Sequence, residues 1–292
     1  MTQSENTYIL NTESIAEMTR LLDQDKIITE TMGGVFPERD NADMEGVKRI
    51  LDIACGPGGW VHDVAHEYPE IEIVGIDISQ RMIAYAQAHA KARKLPNAHF
   101  QVMDALKPLN FPDGSFDLVN TRTIMGFVSA TQWPLLIEEC KRILRLGGVL
   151  RITEGETGFS NMAAYETLWG LINKAFSLTK RSFSPTGVFS DSTVMLRRLL
   201  QRAGFEHTRI LSHVLDYSTG NALHDLVYQD MKVAFKLLYP FVKLTGDVTQ
   251  EEFDDLYERA MKEMESNDFC ALGYLLTAWG TKPTEVAEKD RV

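Results

Sequence analysis

The stretch VKRILDIACGPGGWVHDVA, beginning at Val47, constrains this chain more than any other. Apolar Ile50, Leu51, Ile53 and Ala54 surround a single acid, Asp52, and the run breaks into Gly56, Pro57, Gly58 and Gly59 before an amphipathic segment opens at Trp60. A short apolar run, a bare loop and a helical period form a strand, a turn and a helix. Such a unit calls for parallel neighbours with helices packed on both faces. Further strands are predicted at Ile71 to Ile76, Ala98 to Val102, Phe116 to Asn120 and Val149 to Thr153, after a first at Arg49 to Ala54. Between them Val61, Val64, Ala65 and Tyr68 share a helical face, as do Met82, Ile83, Ala86 and Ala90, and later Leu136, Cys140, Ile143 and Leu144.

The flanks differ in kind. Residues 1–46 carry an expected helix from about Asn11 to Thr31, with Ile15, Met18, Leu21 and Leu22 on one face and Gly33 and Gly34 as its stop. Residues 157–191 mix aromatics with Ser, Thr and Gly, and a helix is predicted from Ser192 to Gly204. HTRILSHVL and CALGYLLTAWG read as strands. The segment between them, 216–267, reads as helical and includes a capping box at Thr249 and Glu252. Connections this long usually carry a lid or binding element. The expected organisation is therefore an N-terminal helical lid over 1–46, a binding core over 47–156, a connecting segment with helix and strand over 157–215, a cap over 216–267, a last strand over 268–282 and a polar tail over 283–292.

Ligands of open α/β sheets bind beyond the carboxyl ends of the strands. The loop ACGPGG lies there, where glycine lets backbone approach a ligand and the next helix offers free N–H groups. Gly56 and Gly58 fit G-x-G-x-x-G, but Val61 occupies its third place, so the pyrophosphate cradle is incomplete. Asp77 closes the second strand, where a carboxylate can accept bonds from both hydroxyls of a ribose, and Asp104 follows the third, placed for an adenine amino group. One acid at a strand end is an ordinary turn residue; three around one glycine loop are a constellation.

LDIACGPGGW, VGIDIS, MDALKPLNFPDGSFDLV and RILRLGGVLRITE resemble, in order and spacing, the motifs of class I S-adenosylmethionine-dependent methyltransferases, in the group that includes the ubiquinone/menaquinone-biosynthesis type. The resemblance covers about residues 47–155. It implies a Rossmann-like, doubly wound seven-stranded sheet, mostly parallel with an antiparallel last strand, to which this chain adds a helical cap. It also implies S-adenosyl-L-methionine as cofactor. Asp52, Gly56 and Gly58 would hold the methionine portion, Asp77 the ribose, and Asp104 with Ala105 the adenine. Ala54, Ile78 and Met82 stand beside them, Thr121 and Arg122 border the cofactor after the fourth strand, and Tyr8 has a place over the cofactor's carboxylate. Two departures stand out: Leu146 replaces the proline of a Pro-Gly-Gly turn, and NTRTIMGFV lacks the histidine some relatives have there.

The implied reaction is in-line displacement of methyl from a sulfonium by an O, N or C nucleophile. It demands alignment and dryness, and a base when the nucleophile arrives protonated. Glu154 and Glu156, in RITEGE after the fifth strand, are the candidate bases; His213 and His224 are weaker ones. Met125 and Phe127 could line an acceptor pocket, with Tyr8, Trp133, Tyr165, Trp169, Phe176, Phe183, Phe189, Tyr228 and Phe235 in or beside the added segments, which suits an aromatic or lipophilic metabolite.

HDVAH, from His62 to His66, imitates a zinc-binding helix, but no third ligand is evident and no metal is expected. Cys55, Cys140 and Cys270 form no C-x-x-C and are expected to be small buried residues. A net charge of −11 disfavours nucleic acid and anionic membrane as partners. The absence of a leader or an apolar run of membrane length gives a soluble, cytoplasmic expectation without stable membrane association. The N-terminal helix could cover its own sheet or that of a second copy, so a homo-oligomer is a further expectation. The alternatives are a non-catalytic S-adenosylmethionine-binding protein and a nicotinamide-dependent oxidoreductase.

Overall fold

A computed structural model describes residues 8–11, 13–39, 44–190 and 192–284; most of the expected polar tail, 285–292, lies outside them. Seven strands form one sheet in the order β3-β2-β1-β4-β5-β7-β6. They are β1 (Arg49–Ile53), β2 (Glu72–Asp77), β3 (Ala98–Val102), β4 (Phe116–Arg122), β5 (Leu144–Ser160), β6 (Glu206–Asp216) and β7 (Ala271–Thr281). β1 to β5 pair in parallel, while β7 runs antiparallel between β5 and β6. The expected doubly wound sheet with an antiparallel last strand is thus formed.

Helices α2 (Gly59–Glu67), α3 (Gln80–Arg93), α4 (Trp133–Ile143) and α6 (Ser192–Arg202) belong to the sheet unit. Ile50, Leu51 and Ile53 of β1 are completely buried, as befits a parallel strand covered on both faces. The other helices, α1 (Ile15–Met32), α5 (Ala163–Leu178), α7 (His224–Val242) and α8 (Gln250–Met264), enclose a second apolar cluster that includes Leu168, Ile172, Phe235 and Phe253. The Thr249–Glu252 capping box is formed as the sequence predicts.

Three differences from the sequence reading have physical causes. β5 is far longer than Val149 to Thr153, because its antiparallel pairing with β7 continues to Ser160; Glu154 and Glu156 therefore lie within a strand rather than in a loop after it. The helix α5 lacks a side-chain cap from its own N-terminal flank. Its first N–H groups, of Ala164 and Tyr165, instead donate to the Glu263 carboxylate of α8 at 3.0 and 2.8 Å. On α1 the face turned inward carries Glu17, Arg20, Ile27, Ile28 and Met32, while Ile15 is exposed. That face can be charged because Arg20 pairs with Glu17 and, at 3.0 Å, with Asp230 of α7.

Cys140 is buried and Cys55 half-buried, whereas Cys270 is exposed at the entry to β7, contrary to expectation. Among the described residues no helix is long and apolar enough to cross a membrane.

Candidate functional site

Two adjoining cavities open at the carboxyl ends of the central strands. The outer one, of about 1130 Å³ including its open mouth, lies over the β1–α2 loop. Tyr8, Asp52, Ala54, Gly56, Asp77, Ile78, Met82, Asp104, Ala105 and Arg122 all line it, so most of the residues singled out in the sequence converge on one space. Gly58 and Thr121 do not. Gly58 caps α2 with φ of +82°, and a Cβ there would fall 2.7 Å from the Phe100 ring, so its glycine serves loop packing. The Thr121 hydroxyl turns inward to donate to the Ile53 carbonyl at 3.3 Å, and Thr123 lines the cavity in its stead.

The acids of this cavity are held by the chain itself. Asp77 accepts the Gly56 N–H at 3.0 Å on one oxygen and the Ser79 N–H at 2.8 Å on the other, fixing the glycine loop against the start of α3. Asp104 closes a turn by accepting the Leu106 N–H at 3.0 Å and pairs with Lys107 at 3.3 Å. Asp52 is buried and accepts from Asn120 Nδ2 at 2.8 Å. Burial pushes its pKa up to about 7, against the opposing pull of Asn120 and Arg151. The Asp77 carboxyl is also raised, chiefly by burial.

Helix α1 supplies the roof with Leu21, Gln24, Asp25 and Ile28, residues the sequence reading did not assign to the site. Their i, i+3, i+4, i+7 spacing was the available signal. Asp25 ion-pairs with Arg122, and a Cβ on Gly59 would overlap its carboxylate, so the acid sits on the first turn of α2. Arg122 also lies 5.8 Å from the Trp60 ring centroid.

The inner cavity, of about 1200 Å³ including open space, runs between β5 and the helices α1, α5 and α7. Tyr8, Gln24, Ile28 and Thr123 border both spaces. Its walls are largely apolar, with Met125, Trp169, Ile172, Phe176, Phe235 and Leu238. Trp133 and Tyr165 are instead core residues, and Phe127 faces the outer cavity. Tyr8 donates to Glu17 at 3.0 Å, which ties the rim shared by the two spaces to the Glu17–Arg20–Asp230 cluster.

Glu154 and Glu156 both line the inner cavity. One oxygen of the fully buried Glu154 accepts the Ile124 N–H at 2.8 Å; the other, Oε2, has no partner. Burial pushes its pKa up to about 8. Glu156 accepts from the Ser190 hydroxyl. His213 and His224 border neither cavity, and His224 Nδ1 is engaged with the Tyr217 carbonyl oxygen at 3.0 Å. Within the zinc-like HDVAH run, His62 Nε2 contacts the Ala86 carbonyl oxygen at 3.0 Å, and among the described residues no three His, Cys, Asp or Glu side chains gather to hold a metal.

Residues 50–148 match the family model described as a methyltransferase domain. Phosphoethanolamine N-methyltransferase 3 of Arabidopsis thaliana is 31% identical over 42% of this chain and 24% of its own length. Demethylmenaquinone methyltransferase of Thermus thermophilus is 38% identical over 37% of this chain and 47% of its own length. The chain thus spans less than half the length of either relative. Among solved structures, phosphoethanolamine N-methyltransferase 2 of Haemonchus contortus with S-adenosyl-L-methionine aligns over 87% of this chain and 52% of its own, at 18% identity and a TM-score of 0.52. The YcgJ protein of Bacillus subtilis aligns over 87% of this chain and 98% of its own, at 17% identity and a TM-score of 0.53. These two structural likenesses establish the fold. Over residues 50–148 the chain carries a methyltransferase domain.

Proposed function

We propose that the protein is a methyltransferase that holds S-adenosylmethionine in the outer cavity and a small, largely apolar acceptor in the inner one. The observation that carries this reading is the shared wall: Tyr8, Gln24, Ile28 and Thr123 bound two spaces that meet at the strand ends, one carrying the strand-end acids Asp52, Asp77 and Asp104 and the other walled largely by apolar side chains of β5, α1, α5 and α7. The outer residues fit the cofactor. A bare loop beside the buried Asp52 carboxylate suits an ammonium group, while Asp77 and Asp104, on the same cavity, offer carboxylate acceptors suited to a ribose and an adenine. When bound, S-adenosylmethionine supplies an activated methyl group on a cationic sulfonium.

The chain then has three tasks. Helices α1, α5, α7 and α8 act as a cap that keeps water from the reacting atoms. The apolar walls orient the acceptor, so that its nucleophilic atom would lie in line with the methyl group the cofactor would supply from its sulfonium. Glu154 Oε2 takes the nucleophile's proton when there is one to lose, because it is the buried oxygen without a partner on this cavity. Charge narrows the acceptor. The inner wall carries Glu154, Glu156 and Asp230, while its Arg20 is already paired with Glu17 and Asp230. A phosphate, such as the name of the Arabidopsis relative implies for that enzyme, would meet no unpaired cation among the described residues of that wall; a neutral aromatic or lipophilic compound is favoured.

The test is calorimetric titration with S-adenosylhomocysteine beside NADH, repeated on Asp77→Ala. Saturable binding of the first ligand alone, weakened by the substitution, is the expected result. Transfer of labelled methyl to a panel of neutral aromatic acceptors then separates an enzyme from a protein that only binds the cofactor.

A further inference from the structure

A row of polar side chains crosses the middle of the sheet. Asp52 on β1 lies in register with Asn120 on β4, which lies in register with Arg151 on β5. All three are buried. Asn120 Nδ2 donates to Asp52 at 2.8 Å, and Arg151 donates to Asn120 Oδ1 at 2.8 Å. The far side of the Arg151 guanidinium meets the Glu38 carboxylate at 2.5 and 3.2 Å, and both of those side chains are 1% exposed. Only the Asp52 end of the row opens on the outer cavity.

The polarity of this row is fixed by chemistry. A guanidinium can only donate hydrogen bonds, so Arg151 must face the amide oxygen of Asn120. The amide NH₂ is thereby turned toward Asp52, which must accept. Reversing the amide would set its NH₂ against the guanidinium and its oxygen against the carboxylate, leaving two clashes in a buried site. Arg151 thus decides, from the next strand but one, that Asp52 is met by a donor and can keep a negative charge beside the loop.

We propose that Arg151, acting through Asn120, is a positioning residue that orients the Asp52 carboxylate and favours its charged form for the ammonium group of the cofactor's amino acid end. The inference rests on the cofactor reading above. It is specific to that end of the ligand, since Asp77 and Asp104 engage the chain without Arg151.

The test compares two probes on the full chain: S-adenosylhomocysteine, which carries the ammonium, and 5′-methylthioadenosine, which lacks the whole amino acid end. Asn120→Leu breaks the link while leaving the Arg151–Glu38 pair intact. The double variant Arg151→Met with Glu38→Gln removes the pair without stranding a buried charge. Thermal melts identify which variants fold, and both probes are titrated against those that do. In each folded variant, affinity for S-adenosylhomocysteine falls about tenfold or more, the size of one hydrogen bond to a charged group, while that for methylthioadenosine changes less than about twofold. Arg151→Lys, which keeps a cation and a donor, restores part of the loss. Equal loss of both probes, or no loss of either in a folded variant, overturns the inference. Wild-type protein that binds neither probe defeats the cofactor reading, and the inference with it.

Discussion

The two cavities were built from different material. The outer one is made chiefly by strand ends, where each strand-end acid is tied to backbone or a neighbouring amide before any ligand arrives: Asp77 to Gly56 and Ser79, Asp104 to Leu106, Asp52 to Asn120. The inner one is walled by helices outside the sheet unit and keeps one carboxylate oxygen, Glu154 Oε2, unpaired. A site whose polar groups are already held in place suits a ligand that never changes. A space of apolar walls with one unpaired buried carboxylate oxygen would, on the proposed reading, leave the choice of occupant to shape.

The comparison breaks most severely if Asp77 is replaceable. It holds the loop and the start of α3 with two bonds from a charged group, so Asp77→Ala should weaken S-adenosylhomocysteine binding by about a thousandfold in calorimetry. Glu154→Gln should do the reverse of this. Cofactor affinity should stay within about twofold, while turnover of a protonated acceptor falls about a hundredfold in single-turnover kinetics. Loss of cofactor binding in that variant would merge the two cavities into one functional unit. Phe235→Leu tests shape alone: this fully buried ring lines the inner cavity, and trimming it should change the kcat/KM ratio between a bulkier and a slimmer acceptor by about tenfold, with cofactor affinity unchanged.

The same division marks what the sequence could reveal. Strands β1 to β4 and three strand-end acids were legible because short apolar runs closed by glycine or aspartate write their structure locally. The long-range devices were not. The N-terminus of α5 is capped by Glu263, about a hundred residues later in the chain, so no motif near Ala163 announces the helix. The buried face of α1 was hidden because Arg20, read alone, belongs on a surface, and only its pairing with Asp230, far along the chain, turns it inward. Glu154 was found by its place after the fifth strand, yet its setting depends on β7, which extends β5 past it. Asp25 lay unassigned for a related reason: its partner Arg122 and the first turn of α2 come together only in the fold.

The smallest expected effect is the one that separates the cavities most cleanly. Burial raises the Asp52 carboxyl to about 7 and the Glu154 carboxyl to about 8, both above their unfolded values of 3.8 and 4.5. Between the unfolded and folded values the native state binds more protons than the unfolded chain, so stability falls as pH rises. The contribution is complete below about pH 4 and is lost through pH 7 for Asp52 and through pH 8 for Glu154. Glu154→Gln removes the upper part of that slope, so the variant should melt about 5 °C above wild type at pH 9 and show no such gain at pH 4. Saturating S-adenosylhomocysteine acts on the other part. Its ammonium favours the charged form of Asp52, so the lower step should flatten while the Glu154 step persists, because that carboxyl faces the inner cavity alone. Melting curves across pH, with and without the ligand, therefore read the two cavities as two separate steps; a ligand that erased both would show that the wall they share transmits charge from one to the other.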